Sequence, residues 1–228
     1  MRLGILGTGA VGKTLAARLN GMGHEVLIGT RDTGETMSRT DPDQFGNPPF
    51  SAWRREHPGV ELGTFAEAAA YGEMVVNATA GAVSLEALDL AGEEHLRGKV
   101  LVDVSNPLDF STGMPPTLSV SNTDSLGEQI QRRFVGARVV KTLHTMNAYL
   151  MVDPAQLAEG EHTVFVCGDD AGSKAKVTEL LRGFGWIDIL DLGDISAARG
   201  NGDDYAHLVK AVRRSPEARL QLQDRPLI

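Results

Sequence analysis

Cysteine, long apolar runs and excess positive charge are all scarce in this sequence of 228 residues. The single cysteine, Cys167, cannot form an internal disulfide, which favours a reducing compartment. It lies in the apolar run 163–167, so we expect a core side chain rather than a nucleophile. No stretch approaches the about 20 apolar residues of a membrane helix, and the apolar start at residues 3–6 is too short for a signal peptide. We therefore expect a cytoplasmic protein with no membrane partner.

The net charge of −8 argues against nucleic acid or an anionic membrane as the main partner. Histidines and the cysteine do not cluster at metal-ligand spacing, so we predict no metal site. With 42% hydrophobic and 23% charged residues, the composition is typical of a packed globular protein. These bounds leave small molecules as the expected partners.

Short apolar runs alternate with amphipathic segments, which predicts an α/β fold with a doubly wound parallel sheet. We expect strands at 3–6, 24–29, 60–64, 74–78, 99–104 and 138–143, and helices at 11–22, 65–71, 84–90 and near 124–133. Residues 32–59 are rich in turn-forming dipeptides and predict a surface excursion with one helical patch at 51–56.

A further unit follows, with a strand at 163–166, a helix at 172–184 and a strand at 186–190. It either extends the sheet or forms a small cap. An amphipathic tail helix is predicted from the apolar residues Tyr205, Leu208, Val209 and Val212. We divide the chain into a first domain over residues 1–150 and a small α/β extension and tail over residues 151–228.

A glycine loop joins the first strand to the first helix: Gly7, Thr8, Gly9, Ala10, Val11 and Gly12 have the spacing G-x-G-x-x-G. In a Rossmann-type fold the first glycine makes the turn, the second admits a pyrophosphate, and the third lets helix and strand pack closely. The strand before the loop and the helix after it make this a specific signal for a dinucleotide.

The same segment also satisfies the phosphate-loop spacing of nucleotide hydrolases, through Gly7, Gly12, Lys13 and Thr14, and residues 100–103 (VLVD) resemble a Walker B strand. We favour the dinucleotide because Gly9 is required only by that interpretation.

The end of the second strand carries Thr30 and Arg31, where NAD enzymes usually place an acid for the ribose. A hydroxyl and a guanidinium there suit the 2′-phosphate of NADP(H). The next residue, Asp32, is the alternative as a ribose acid. We favour Arg31 and therefore predict NADP in the domain over residues 1–150.

Several segments together resemble the coenzyme F420-dependent NADP oxidoreductase family. They span about residues 1–199 and are 3–31, 75–81 (VVNATAG), 102–108 (VDVSNPL), 139–148 (VVKTLHTMNA), 165–170 (FVCGDD) and 190–193 (LDLG). The resemblance implies an enzyme that transfers a hydride between NADP(H) and coenzyme F420, a deazaflavin, or a flavin-type acceptor. It also implies a homodimer.

The resemblance assigns roles to particular residues. It implies that His144 meets the deazaflavin, that Met146 packs on the nicotinamide, and that Arg199 lies on the deazaflavin side; we take His144 and Met146 as the catalytic candidates. The further cofactor-binding candidates are Asn77, Ala78, Thr79, Ser105, Asn106, Pro107 and Asn147.

Two departures from the family leave alternatives for the second substrate. Asp203 and Asp204 follow Arg199 and would repel an anionic F420 tail, and the excursion at 40–59 is long. The acceptor is then a flavin or an iron chelate, as in related ferric reductases. Alternatively, the chain is a non-catalytic NADP(H)-binding regulator.

Overall fold

The structure is a computed structural model that describes residues 1–43, 46–113 and 116–201, with only the backbone of residues 200 and 201. The predicted tail helix and the acids Asp203 and Asp204 lie outside the described residues. Within the described ranges, no helix is both long and apolar enough to cross a membrane.

Eight strands form one sheet in the order β10-β9-β8-β5-β4-β1-β2-β3, and β6 and β7 form a separate hairpin. The strands are β1 (Arg2–Leu6), β2 (Glu25–Thr30), β3 (Val60–Thr64), β4 (Met74–Asn77), β5 (Val100–Asp103), β6 (Leu108–Asp109), β7 (Thr117–Leu118), β8 (Arg138–Thr142), β9 (Thr163–Cys167) and β10 (Asp188–Asp191). The six strands from β3 to β8 in this sheet are parallel, which confirms the predicted Rossmann-type α/β class.

The described helices cover both faces of the sheet. They are α1 (Ala10–Gly21), α2 (Thr33–Ser38), α3 (Phe50–Glu56), α4 (Phe65–Tyr71), α5 (Ser84–Ala91), α6 (Glu93–Leu96), α7 (Leu126–Arg133), α8 (Ala148–Val152) and α9 (Ala171–Phe184). Alternate strand residues face opposite sides: Met74 and Val76 join the core under α1, α8 and α9, whereas Val75 joins the core under α4 to α7.

The C-terminal unit extends the sheet and does not form a cap. Strand β9 pairs antiparallel with β8, with Lys141 opposite Cys167, and β10 runs parallel to β9. The strand predicted at 186–190 begins later, at Asp188, because Trp186 is buried and its indole N–H donates to the carbonyl of Met151 at 3.0 Å. The domain boundary at residue 150 stays a prediction.

The excursion at 32–59 is less superficial than predicted. It contains α2 as well as α3, because the Asp32 carboxylate caps α2 by accepting the Glu35 N–H at 2.8 Å. Phe50, at the start of α3, is buried in the core under α1. The short polar sequence of α2 carries no apolar periodicity, so the pattern did not reveal it.

Cys167 is buried in β9, as predicted. Burial raises the pKa of its thiol to about 12, so the sulfur stays protonated and unreactive.

Candidate active site

The glycine loop has the geometry that its spacing predicts. Gly7 has φ +113°, a left-handed conformation, and its N–H donates to the Gly29 carbonyl of β2 at 2.9 Å. A Cβ on Gly12 would lie 1.8 Å from the Gly7 carbonyl oxygen, so only glycine allows this approach of helix to strand. A Cβ on Gly9 would meet no atom within 4 Å, so the loop backbone is open to an approaching group there.

The amino end of α1 suits an anion. Gly9 is its N-cap, and within the described part of the chain no side chain caps it and no acid lies in its first turn. The N–H groups and the helix dipole therefore favour a diphosphate at this end. Thr8 and Ala10 are half-buried beside it, while the Val11 side chain packs against the core and leaves only its backbone to a ligand.

The contacts of Lys13 and Asp103 argue against the phosphate loop of a nucleotide hydrolase. The Lys13 ammonium is buried and donates to the Pro48 carbonyl at 2.7 Å, and burial lowers its pKa. Asp103, the Walker-B-like acid, is fully buried and paired with Lys141. Neither charge is free for a nucleotide phosphate or for magnesium.

Arg31 is the exposed cation at the end of β2. Its side chain is 59% exposed and forms an ion pair with Glu86 of α5, Nη2 to Oε1 at 3.1 Å. The hydroxyl of Thr30 is buried and lies 2.8 Å from that of Thr36, and either can be the donor. Asp32 is engaged as the cap of α2, which weakens the alternative of a ribose acid at this position.

The loops after β4, β5 and β8 are tied together at the carboxyl edge of the sheet. Gly81 N–H donates to the Asn106 carbonyl at 3.2 Å, and the Asn106 amide donates to the His144 carbonyl at 3.1 Å. Ala78 N–H also donates to the Leu6 carbonyl of β1 at 2.9 Å. Pro107, which follows Asn106 in the β5 loop, is buried. The fold therefore holds the predicted residues at one edge, where open α/β sheets bind ligands.

A buried polar network lies beneath these loops. The Asp103 carboxylate accepts from Lys141 at 2.8 Å, from the Asn77 amide at 2.9 Å and from the Ser105 hydroxyl at 2.6 Å. Lys141 also donates to the Ser105 carbonyl, and Asn77 accepts from the Thr79 hydroxyl at 2.7 Å. Because both charges of the pair are paired and hydrogen-bonded, they can stay ionised out of water.

His144 directly follows Leu143, a buried residue with φ +63°. A left-handed leucine costs about 1–2 kcal/mol and turns the chain sharply after β8. Both ring nitrogens of His144 are buried, and neither has a hydrogen-bond partner of good geometry in the described structure; the backbone of Thr142 offers one of them only a weak contact. Burial, and secondly the charge of Lys141, hold the pKa of His144 well below its ordinary value, so the imidazole is neutral.

Met146 and Asn147 continue the loop after His144. The Met146 side chain is partly buried against the core under α1, and the exposed Asn147 begins α8, which packs against α1. The cofactor candidates from the β8 loop thus lie on the same face of the sheet as the helix that follows the glycine loop.

Arg199 lies apart from the glycine loop. Both it and His144 line a small cavity of about 30 Å³ next to β8, and β8 is three strands from β1, about 14 Å across the sheet. Its guanidinium forms a bidentate ion pair with Glu128 of α7, with Nε to Oε2 at 2.7 Å. Arg199 is therefore held by an internal partner.

Three features of the site were missed from the sequence. They are the pair of Arg31 with Glu86, the pair of Asp103 with Lys141, and the left-handed Leu143. Lys141 stands alone as a charge within the apolar strand 139–143, and Asp103 ends the neighbouring strand, so their pairing had a signal. Glu86 had none, because its position opposite Arg31 depends on the fold.

Residues 2–107 match the family of NADP oxidoreductases that are coenzyme F420-dependent. A crystal structure from Arthrobacter sp. FB24, provisionally assigned as an F420-dependent NADP reductase, is 55% identical with a TM-score of 0.84, covering 96% of this chain and 94% of that one.

Two more distant relatives extend the comparison. The F420-dependent NADP reductase of Methanothermobacter marburgensis is 25% identical over 203 residues, which are 87% of each chain. The metalloreductase STEAP3 of Rattus norvegicus is 28% identical over 198 residues, 87% of this chain. The match spans only 35% of that longer protein.

Proposed function

Because this chain belongs to the coenzyme F420-dependent NADP oxidoreductase family, we propose that it transfers a hydride between NADP(H) and a deazaflavin of the F420 type. The chain is an NADP-dependent oxidoreductase, and the deazaflavin as its partner is the proposal. The open, uncapped glycine loop with Arg31 beside it at the end of β2 is the observation that carries NADP(H) binding, and the family carries the deazaflavin.

The residues fit NADP(H). The backbone of residues 7–12 and the amino end of α1 would hold the diphosphate, and Arg31 would hold the 2′-phosphate. Thr30 can help, because Thr36 can donate to it and leave the Thr30 hydrogen for a phosphate oxygen. We assign the nicotinamide side to the candidates that end β4, β5 and β8, which are Asn77, Ala78, Thr79, Ser105, Asn106, Pro107, Met146 and Asn147.

When bound, NADPH supplies the hydride, and the oxidised deazaflavin or flavin takes it up with a proton from solvent. The chain's task is to align the two and to exclude water. We propose that Met146 gives the nicotinamide an apolar contact. His144, a neutral imidazole with two unpartnered nitrogens, would offer the acceptor a hydrogen bond without adding charge.

A second candidate acceptor is a free flavin or a ferric chelate. The match to a metalloreductase over 198 residues supports it. The ion pair of Arg199 with Glu128 supports this acceptor too, because a guanidinium that is already paired with a carboxylate attracts an anionic F420 tail less strongly. We also propose that the chain forms a homodimer and is located in the cytoplasm. Light scattering on a sizing column would measure the mass and so test the dimer.

The direct experiment follows the absorbance of reduced nicotinamide after adding oxidised F420, FMN, FAD or ferric citrate to the enzyme with NADPH. We expect the fastest turnover with F420. Turnover with a flavin or a ferric chelate alone would select the second candidate. NADPH binding without turnover on any acceptor would contradict the proposed reaction.

The cofactor assignment predicts a defined effect for Arg31→Gln. Losing one charge-assisted interaction with the 2′-phosphate should raise the Kd for NADPH about 10- to 100-fold and leave that for NADH nearly unchanged. Arg97→Gln is the matched control, since Arg97 is also exposed and paired, with Glu93 at 2.8 Å. Equal affinities of Arg31→Gln and wild type for NADPH would refute the role of Arg31.

A further inference from the structure

The ion pair between Arg31 and Glu86 joins segments that follow β2 and β4, the two strands that flank β1. In the sheet, β2 and β4 flank β1 on its two sides. Arg31 follows β2, and Glu86 is the third residue of α5, which comes after the β4 loop. Their side chains meet at 3.1 Å, so the contact reaches across the carboxyl end of β1, where the glycine loop begins.

This contact is easily exchanged. The two side chains are 59% and 60% exposed, and an exposed pair of this kind is weak and screened by salt. Among the described residues, Glu86 forms an ion pair only with Arg31. A phosphate monoester with a charge of about −1.5 to −2 is a stronger partner for the guanidinium than one carboxylate.

We propose that Glu86 sets the preference between NADPH and NADH, holding Arg31 when no 2′-phosphate is present and opposing that phosphate when it is. The inference rests on the proposed role of Arg31. A carboxylate that contacts a guanidinium lies within several ångströms of any anion that the same guanidinium binds. Glu86 therefore lowers the affinity for NADPH by repulsion and by competition for Arg31.

The same carboxylate treats NADH differently. NADH carries a free 2′-hydroxyl, and a carboxylate near that position accepts a hydrogen bond from this hydroxyl, as acids do in NAD enzymes. Glu86 therefore reduces the difference in affinity between NADPH and NADH in two ways. It acts on NADPH through Arg31 and on NADH through the ribose.

The test compares Glu86→Gln with wild type by titration with NADPH and with NADH. We expect NADPH to bind about three- to tenfold more tightly, the size expected for one screened carboxylate and one exposed ion pair. NADH should bind more weakly, because the carboxylate that accepts a hydrogen bond from its ribose hydroxyl is lost. The gain in NADPH affinity should be smaller at about 500 mM salt than at about 50 mM salt, because salt screens the repulsion between exposed charges.

Glu73→Gln is the matched control. Glu73 pairs with Arg2 at 3.3 Å with similar exposure, 55% and 53%, but at the amino ends of β4 and β1, the opposite edge of the sheet. Glu73→Gln makes the same change in net charge as Glu86→Gln and should leave the affinities for NADPH and NADH unchanged. In an Arg31→Gln background, Glu86→Gln should gain less than in wild type, because only the repulsion is left to remove.

The outcomes separate the two proposals. An unchanged NADPH affinity in Glu86→Gln, or equal tightening of NADPH and NADH, would overturn the role of Glu86 while leaving NADP binding intact. A wild-type chain that ignores NADPH would instead overturn the cofactor assignment itself. Thermal unfolding of each variant verifies that the exposed substitution leaves the fold unchanged.

Discussion

The imidazole of His144 lies in an uncommon environment, because it is a neutral ring with one donor and one acceptor, and neither buried nitrogen has a hydrogen-bond partner of good geometry. Each buried unpaired polar atom costs about 1–3 kcal/mol. Together with the left-handed Leu143 before it, His144 stores unfavourable energy at the carboxyl edge of the sheet. Strain retained at such a position is typical of functional residues.

The depressed pKa of His144 predicts a pH dependence of stability. The unfolded chain takes up this proton near the ordinary pKa of 6.5, whereas the folded chain does so only well below it. The free energy of unfolding should therefore be at its full value above pH 6.5 and fall as the pH drops below it, by at most about 1.4 kcal/mol per pH unit.

Urea denaturation at about pH 7.5, 6.5 and 5.5 measures this slope. His144→Gln should flatten this slope relative to wild type by more than the control substitution His95→Gln in α6 does. His24, whose pKa is also lowered, contributes equally to each protein and cancels. Identical slopes for wild type and His144→Gln would contradict the prediction.

At the scale of elements, the turn from β1 into α1 shows how one loop separates a folding requirement from a binding requirement. Gly12 is needed because the helix backbone lies against the strand end, and Gly9 is needed only if a ligand approaches. The two glycines look alike in the sequence. Their surroundings in the fold differ completely.

This contrast predicts opposite outcomes for two alanine substitutions. Gly12→Ala should lower the free energy of unfolding by about 2–4 kcal/mol, because the new methyl overlaps the Gly7 carbonyl. Gly9→Ala should lower the free energy of unfolding by only about 1 kcal/mol, the cost of alanine at an N-cap, but weaken NADPH binding at least about tenfold. Denaturation and titration of both variants measure this, and a Gly9→Ala protein with wild-type NADPH affinity would show that the loop does not contact the diphosphate.

At the scale of the whole molecule, the centre of the sheet is joined by charge as well as by apolar packing. The pair of Asp103 with Lys141 links β5 to β8, and Asn77 adds β4 to the network. The loops that carry Thr79, Ser105 and His144 all leave from these three strands. The network therefore positions the edge where the acceptor would bind.

Breaking this pair should be costly. Asp103→Asn or Lys141→Met should each lower the free energy of unfolding by about 3–5 kcal/mol, because each leaves a buried charge unpaired. The double variant Asp103→Leu/Lys141→Met should lose less than either. Asp89→Asn, which breaks an exposed pair with Arg133, is the control and should lower the free energy of unfolding only slightly. A loss of that size for Asp103→Asn would mean that the buried pair contributes little.

The order of strands and helices followed from local pattern, because apolar periodicity and turn residues act over a few neighbouring residues. The boundaries of β1, β3, α4 and α9 agree with the predictions to within one residue. The short α2 was missed because its stability comes from the Asp32 cap and the buried contact between Thr30 and Thr36.

The doubly wound fold and the glycine loop followed from the sequence alone, because both are encoded in residues close together along the chain. The sequence also marked Arg31 as the candidate for the cofactor phosphate. The packed fold was needed to show that β9 runs antiparallel to β8, that Lys141 pairs with Asp103, and that Glu86 contacts Arg31. These contacts join residues 24 to 55 positions apart, and no local periodicity specifies which distant partners the packed sheet brings within reach.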